Sequence, residues 1–439
     1  MTSSQPLRRQ KKNRNYAREL ALQEFSNRET TADVYQADPP MISTATRKQT
    51  SQLSNPGEHL IAAVRGSLPG PTLLILGGIH GNEPAGVLAA ERVLPRLHER
   101  RAELRGEVVM LRGNTRALER NVRYINADLN RLWRANNAGT VESGNCHPFE
   151  ASEFVEQREL LVDIREVISR ARGDVYFVDL HTTSAPGKPF ATVGDTLRNR
   201  RFALQFPVTI VLGLEEQIEG TLLEYINNLG AVTMGFEAGQ HEATTSVDHH
   251  EAVIWNATVA TGNFRREDVT ELDHLQSLLK LAGGGRRVVE VRHRRAISAA
   301  DEFQMEPGFK NFQPVRRGQV LARDRMGEIR ASETGLILLP LYQKLGDDGF
   351  FLGRDVKQFW LYLSALLRKL KVGHYIHVLP GVRRDRLDEN VLIINTRIAQ
   401  ILPLQILHLL GFRRRRWIDK YLVVSRRSYD LTGPAKLIF

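Results

Sequence analysis

Three side chains with metal-binding chemistry stand where short apolar runs give way to loops. Leu73–Leu76 runs into Gly77-Gly78-Ile79-His80-Gly81-Asn82-Glu83, and Asp174–Leu180 runs into His181-Thr182-Thr183-Ser184. If both runs are strands of an open α/β sheet, His80, Glu83 and His181 meet beyond their carboxyl ends, where such sheets gather ligands. Two imidazoles and one carboxylate with an open fourth position make the usual catalytic zinc set, the open position serving a water nucleophile. Asp179, two residues before His181, faces the same side of its strand and is placed to orient a ligand from behind. Either histidine alone reads as an ordinary loop residue. A strand-end pair joined by a distant strand-end histidine is far more specific.

Two further groups supply the rest of a reaction. The loop from Asn114 to Arg134 carries Arg123-Tyr124-Ile125-Asn126-Ala127-Asp128-Leu129-Asn130-Arg131. Asn130 and Arg131 form a donor-rich pair suited to gripping a carboxylate, and Arg123 is placed to polarise a carbonyl. Without the metal set, the same loop reads as a surface segment making local ion pairs. Glu237 closes the apolar run Val232–Phe236 and is expected at the same sheet edge as His181, where a carboxylate can take a proton from water and pass it to a leaving nitrogen. The rival reading is a helix-capping acid. His241, His249 and His250 follow closely and are expected on the rim, since three ligands are already supplied.

The elements that must position these groups alternate. Strands are expected at Leu73–Leu76, Glu107–Leu111, Asp174–Leu180, Thr209–Gly213 and Ala231–Phe236. Helices are expected at Pro84–Leu97, Glu150–Arg170, Leu222–Leu229, Val247–Thr261 and Val269–Leu281. That alternation argues an α/β domain with a mixed or mostly parallel sheet flanked by helices. Four segments result. Residues 1–55 are a polar, basic arm expected to be disordered; 56–283 form the α/β domain; 284–353, rich in short strands and Gly/Pro turns, form a small all-β domain. Residues 354–439 form a basic region to which the sequence assigns no fold.

Composition narrows the classes. A single cysteine excludes a disulfide scaffold and thiolate metal sites, and fits a reducing, cytoplasmic setting. The N-terminus has no apolar h-region, and Val391–Phe412, the most lipid-like stretch, carries Asn395, Arg397, Gln400 and Gln405, too polar to span a bilayer. The net charge of +11 is unevenly placed: residues 1–20 carry six Lys/Arg against one Glu, and 351–439 carry seventeen against six acids, so the rest is mildly acidic. Nucleic acid is therefore not an expected partner.

In this order, Gly-Gly-Ile-His80-Gly-Asn-Glu83, Arg123, Asp-Leu-Asn130-Arg131, Asp-Leu-His181-Thr-Thr-Ser and Glu237 resemble the succinylglutamate desuccinylase/aspartoacylase family, a branch of the zinc carboxypeptidase superfamily. The likeness covers roughly Glu58 to Gly353. It implies one zinc per chain on His80, Glu83 and His181, substrate α-carboxylate binding by Asn130 and Arg131, help at the carbonyl from Arg123, and Glu237 as general base and then acid. The implied reaction is hydrolysis of the amide of an N-acyl amino acid or similar small amide. A metallocarboxypeptidase acting on short peptides shares every ligand, and a non-catalytic binding protein shares the fold. One departure is informative: members that cleave N-acetylaspartate use an extra arginine shortly before the catalytic glutamate, and here no Lys or Arg occurs from Phe202 to Phe264. Amides of neutral or apolar amino acids are therefore expected to be cleaved better than N-acetylaspartate. In 354–439, Arg413–Arg416 follow a leucine-rich stretch, which fits a peripheral membrane or protein contact. The favoured expectation is an accessory region with solvated arginines, dispensable for metal binding.

Overall fold

The computed structural model describes residues 58–134, 151–398, 404–434 and 437. The expected N-terminal arm, residues 1–55, lies outside them. Among the described residues eight strands lie up to Ala296: β1 (Leu60–Arg65), β2 (Leu68–Gly77), β3 (Arg105–Arg112), β4 (Val175–Thr183), β5 (Phe190–Val193), β6 (Thr209–Leu212), β7 (Val232–Gln240) and β8 (Arg287–Ala296). Six follow before Val356: β9 (Gln304–Met305), β10 (Gln313–Val315), β11 (Val320–Asp324), β12 (Gly327–Arg330), β13 (Gly335–Leu338) and β14 (Asp348–Asp355). One eleven-stranded sheet runs β1-β3-β2-β4-β7-β5-β6-β8-β14-β13-β10. Its centre, β3-β2-β4-β7, is parallel, while β1 pairs antiparallel with β3 and β5 antiparallel with β7, so the sheet is mixed.

The central strands read as unbroken apolar runs because both faces are covered. On β2, Leu73 and Ile75 enter one core with helices α1 (Ala85–Glu99), α6 (Thr245–Thr261) and α7 (Leu272–Gly283). Leu74 and Leu76 enter the opposite core with α3 (Ser152–Arg170) and α5 (Leu222–Asn228). Two short helices complete this part: α2 (Thr115–Arg120), inside the segment read as a loop, and α4 (Leu197–Ala203). Asn114 starts α2 by accepting from Ala117 N–H at 3.2 Å. The register sets Gly77 of β2 level with Leu180 of β4, and His181 of β4 level with Glu237 of β7.

The sheet continues past Gly283–Gly285. β8 pairs parallel with β6, and β14, β13 and β10 follow it antiparallel, while β12-β11-β9 form a separate three-stranded sheet. Beyond Asp355 come α8 (Gln358–Lys369), α9 (Leu404–Leu409) and a four-stranded antiparallel sheet of β15 (Val382–Arg384), β16 (Val391–Asn395), β18 (Tyr421–Ser425) and β17 (Arg414–Ile418). This region has its own core, including Leu392, Phe412 and Val424.

Its arginines correct the expectation of a solvated appendage. Arg368 Nη2 donates to Asp195 Oδ2 at 2.9 Å, Arg413 pairs with Asp195 and donates to Glu290 Oε1 at 2.6 Å, and Arg427 Nε donates to Glu216 Oε1 at 2.7 Å. Arg200 also grips Asp195, at 2.6 Å. Burial alone would raise the Asp195 pKa, but Arg200, Arg368 and Arg413 outweigh it and hold the carboxyl well below its usual range. Among the described residues no helix is long and apolar enough to cross a membrane.

Candidate active site

The first two ligand candidates sit in the turn between β2 and α1. Gly78 has φ +73°, a left-handed conformation that suits glycine, and a Cβ at Gly81 would lie 2.1 Å from the backbone of Ala117. The tight path this allows brings Glu83 N–H back onto His80 C=O at 3.1 Å and buries both side chains. His181 arrives from β4. His80 Nδ1 lies 2.9 Å from Glu83 Oε1, and His181 Nδ1 lies 3.2 Å from Glu83 Oε2. Each imidazole is held from the other side: His80 Nε2 is 3.2 Å from Asp128 Oδ1, and His181 Nε2 is 3.0 Å from Asp179 Oδ2. Thr182 N–H, on β4, also donates to Glu83 Oε2 at 2.9 Å.

This donor set fits a zinc ion. One nitrogen of each histidine and the Glu83 carboxylate converge within 4.8 Å of one another, and each remaining nitrogen faces a carboxylate, the usual support for a histidine ligand. Burial would raise the Glu83 carboxyl, but His80 and His181 hold it well below its ordinary value. Burial would lower His181, but Asp179 and Glu83 raise it well above its ordinary value. A second cluster, His59, Glu156 and Glu159, has ligand atoms equally close together, but Arg116 Nη1 already lies 2.7 Å from Glu156 Oε1 and 2.8 Å from Glu159 Oε2. A guanidinium fills the place of a cation there.

All seven site residues named from sequence line one cavity of about 140 Å³: His80, Glu83, Arg123, Asn130, Arg131, His181 and Glu237. Glu237 is brought there by its pairing with His181. Burial pushes its carboxyl up to about 8, with Glu83 and Asp179 adding to the rise and His181 and Arg123 opposing it. Its Oε2 is buried without a hydrogen-bond partner among the described residues. Arg123 donates to Asp128 Oδ2 at 3.0 Å and lies 3.6 Å from Glu83 Oε1. Asn130 accepts from Leu222 N–H at 2.9 Å through Oδ1, which leaves its amino group to offer a ligand. Arg131 donates to Asp348 Oδ2 at 3.3 Å, a pairing that any carboxylate ligand of this guanidinium would have to displace.

Of the three histidines expected on the rim, His241 does line the cavity, joined to Thr182 Oγ1 at 2.7 Å. His249 binds the Ala238 carbonyl at 2.7 Å. His250 does not reach the rim: it is fully buried against Phe236, and burial pushes its pKa down to about 3. The structure adds groups that sequence reasoning missed. Asp128 joins His80, Arg123 and Asn130 N–H through one carboxylate, and Glu215, Asp347 and Asp348 line the cavity. Only the Asp128-Leu-Asn130 spacing, a turn-capping pattern, pointed to Asp128.

The sequence model of the succinylglutamate desuccinylase/aspartoacylase catalytic domain matches residues 69–261. A succinylglutamate desuccinylase of Pseudomonas putida is 34% identical over 277 residues, which are 60% of this chain and 75% of that protein. The chain belongs to the succinylglutamate desuccinylase/aspartoacylase family. The relative from Pseudomonas paraeruginosa is also 34% identical, over 113 residues, and the chain spans about a third of its length: 26% of this chain and 31% of that protein. Among solved structures, a succinylglutamate desuccinylase/aspartoacylase from Rhodobacter sphaeroides aligns with 20% identity and a TM-score of 0.48, covering 67% of this chain and 88% of that one. The succinylglutamate desuccinylase of Vibrio cholerae aligns with 16% identity and a TM-score of 0.48, covering 71% and 95%.

Proposed function

We propose that this family member is a zinc-dependent hydrolase of the amide bond in an N-acyl amino acid or a similar small amide. The observation that carries the proposal is the convergence of His80, Glu83 and His181 beside Glu237, a buried carboxyl raised to about 8. When bound by the three ligands, zinc supplies a Lewis acid for the amide oxygen and lowers the pKa of a water to about 7.

The chain's own groups do the rest. Glu237 lines the cavity beside the three ligands with Oε2 unpartnered among the described residues, so it is placed to take a proton from the attacking water and return it to the leaving nitrogen. Arg123, locked by Asp128, presents its guanidinium to the amide oxygen as negative charge develops there. Asn130 and Arg131 hold the α-carboxylate and so orient the scissile bond. A cavity of about 140 Å³ suits a small amide better than an extended peptide. The test is amine release from a panel of N-acyl amino acids by the zinc-loaded full chain. Metal-dependent release supports the reading. Release from short peptides alone would move the activity to a carboxypeptidase, and no release from either would overturn the hydrolase reading.

A further inference from the structure

The segment Leu214–Leu222 leans directly on the residues assigned to the α-carboxylate. Leu222 N–H donates to Asn130 Oδ1, Trp133 N–H donates to Gly220 C=O at 3.0 Å, and a Cβ at Gly220 would lie 2.3 Å from the Arg131 carbonyl oxygen. The side chain of an amino acid held by Asn130 and Arg131 therefore has this segment as its wall. Glu215 stands on that wall, 7% exposed.

Its carboxylate meets only neutral donors. Thr221 Oγ1 donates to Oε2 at 3.1 Å and Thr192 Oγ1 to Oε1 at 3.4 Å. Among the described residues no lysine or arginine side chain pairs with it. Arg427, the cation behind the wall, favours the Glu215 carboxylate by its charge. Its donors, however, go to Glu216 Oε1, to Asn227 and, at 3.2 Å, to the Glu215 backbone carbonyl rather than to the Glu215 side chain. The distance to the reaction is short: Gly235 and Glu237 share a face of β7, about 7 Å apart along the strand, and a Cβ at Gly235 would lie 2.5 Å from the Thr192 hydroxyl that touches Glu215.

We infer that Glu215 recognises a cationic group on the substrate's side chain, so that the preferred amide is the Nα-acyl derivative of a basic amino acid. This rests on the hydrolase reading above and narrows it. The charge of the cavity agrees. Its two arginines, Arg123 and Arg131, are already paired with Asp128 and with Asp347 and Asp348, and Asp348 is also bound by Arg294, whereas Glu215 has no ion pair among the described residues. A side-chain carboxylate would find no unpaired cation there, whereas an ammonium would make a charge-assisted hydrogen bond. Burial, with Glu216 and Glu224, pushes the Glu215 carboxyl up against the pull of Arg427, and an ammonium in the cavity would add to that pull and stabilise the charged form.

The test compares Nα-acetyl-ornithine with N-acetyl-norleucine, its near-isosteric neutral counterpart, and with N-acetylglutamate, using the zinc-loaded full chain. The expected kcat/KM is at least about tenfold higher for the ornithine derivative than for either other, and Glu215→Gln should bring the ornithine-to-norleucine ratio close to one. Equal or better use of the norleucine derivative by the wild type overturns the inference, as does a ratio unchanged in E215Q. Calorimetry of free ornithine and free norleucine gives a reading independent of turnover and of the variant's folding. If none of the amides is cleaved, the hydrolase reading fails, but wild-type binding of ornithine about tenfold tighter than norleucine would still support Glu215 as a cation site, and equal binding would refute it.

Discussion

The two aspartates behind the histidines should be separable by experiment. Asp179 Oδ2 supports His181 at 3.0 Å, and Asp128 Oδ1 supports His80 at 3.2 Å. Exchanging either for asparagine keeps the shape but removes the charge that orients its imidazole. Loss of such support costs about 10–100-fold in metal affinity, or about 1.4–2.8 kcal/mol at 1.4 kcal/mol per decade. Asp128 has further duties: it also accepts from Arg123 Nη2 at 3.0 Å and from Asn130 N–H at 2.9 Å. Asparagine has one acceptor oxygen and a donor amino group, so it cannot satisfy His80, Arg123 and Asn130 together. Asp179→Asn should therefore regain most of its turnover when zinc is saturating. Asp128→Asn should remain at least about tenfold low in kcat, within the roughly 10²–10³-fold that removal of an oxyanion donor costs. Zinc titration against a chromophoric chelator, with kcat at saturating zinc, reads both. Wild-type zinc affinity in Asp179→Asn, or full rescue of Asp128→Asn by zinc, would refute the reasoning.

Glu237→Gln should keep its zinc content and lose about 10²–10⁴-fold in turnover, the usual worth of a positioned acid–base group; near-normal rates would assign the proton transfer elsewhere. Arg131→Ala should chiefly raise KM for substrates with a free α-carboxylate and leave their methyl esters little affected, as steady-state kinetics on the matched pair will show. Asp195→Asn strands Arg200, Arg368 and part of Arg413 in the interior, at a cost of about 3–5 kcal/mol in urea unfolding. Because the folded pKa of Asp195 is depressed, its contribution is complete above about pH 4 and fades as the pH falls further. The gap between wild type and variant should thus hold steady near neutrality and narrow in acid; a gap that widens in acid would contradict the assignment.

Much of the architecture was legible because its signals are local. Leu73–Leu76 alternates between two cores and so reads as a continuous apolar strand, and the glycines after it mark the tight turn carrying His80 and Glu83. His80, Glu83, His181 and Glu237 were picked from the ends of such strands, and Arg123, Asn130 and Arg131 from a donor-rich loop; the structure gathers all seven in one cavity. What escaped depends on pairings between distant parts of the chain. Asp128 reaches His80 across 48 positions, and Arg413 reaches Asp195 across 218. Read locally, Arg413–Arg416 is a charged surface run, which is why the C-terminal region looked dispensable. In the fold, Arg413 is buried and bound to the catalytic body. The continuation of the sheet through β8, β14, β13 and β10 was similarly hidden, since strands of three or four residues carry little periodicity.

The central claim is that His80, Glu83 and His181 hold a catalytic zinc. Anomalous diffraction at the zinc edge, from crystals of the full chain loaded with one equivalent of zinc, tests it most directly. The expected result is one strong peak within bonding distance of His80 Nδ1, His181 Nδ1 and the Glu83 carboxylate, lost in His181→Ala. A peak at His59, Glu156 and Glu159 instead, or no ordered zinc at the three ligands, would contradict it.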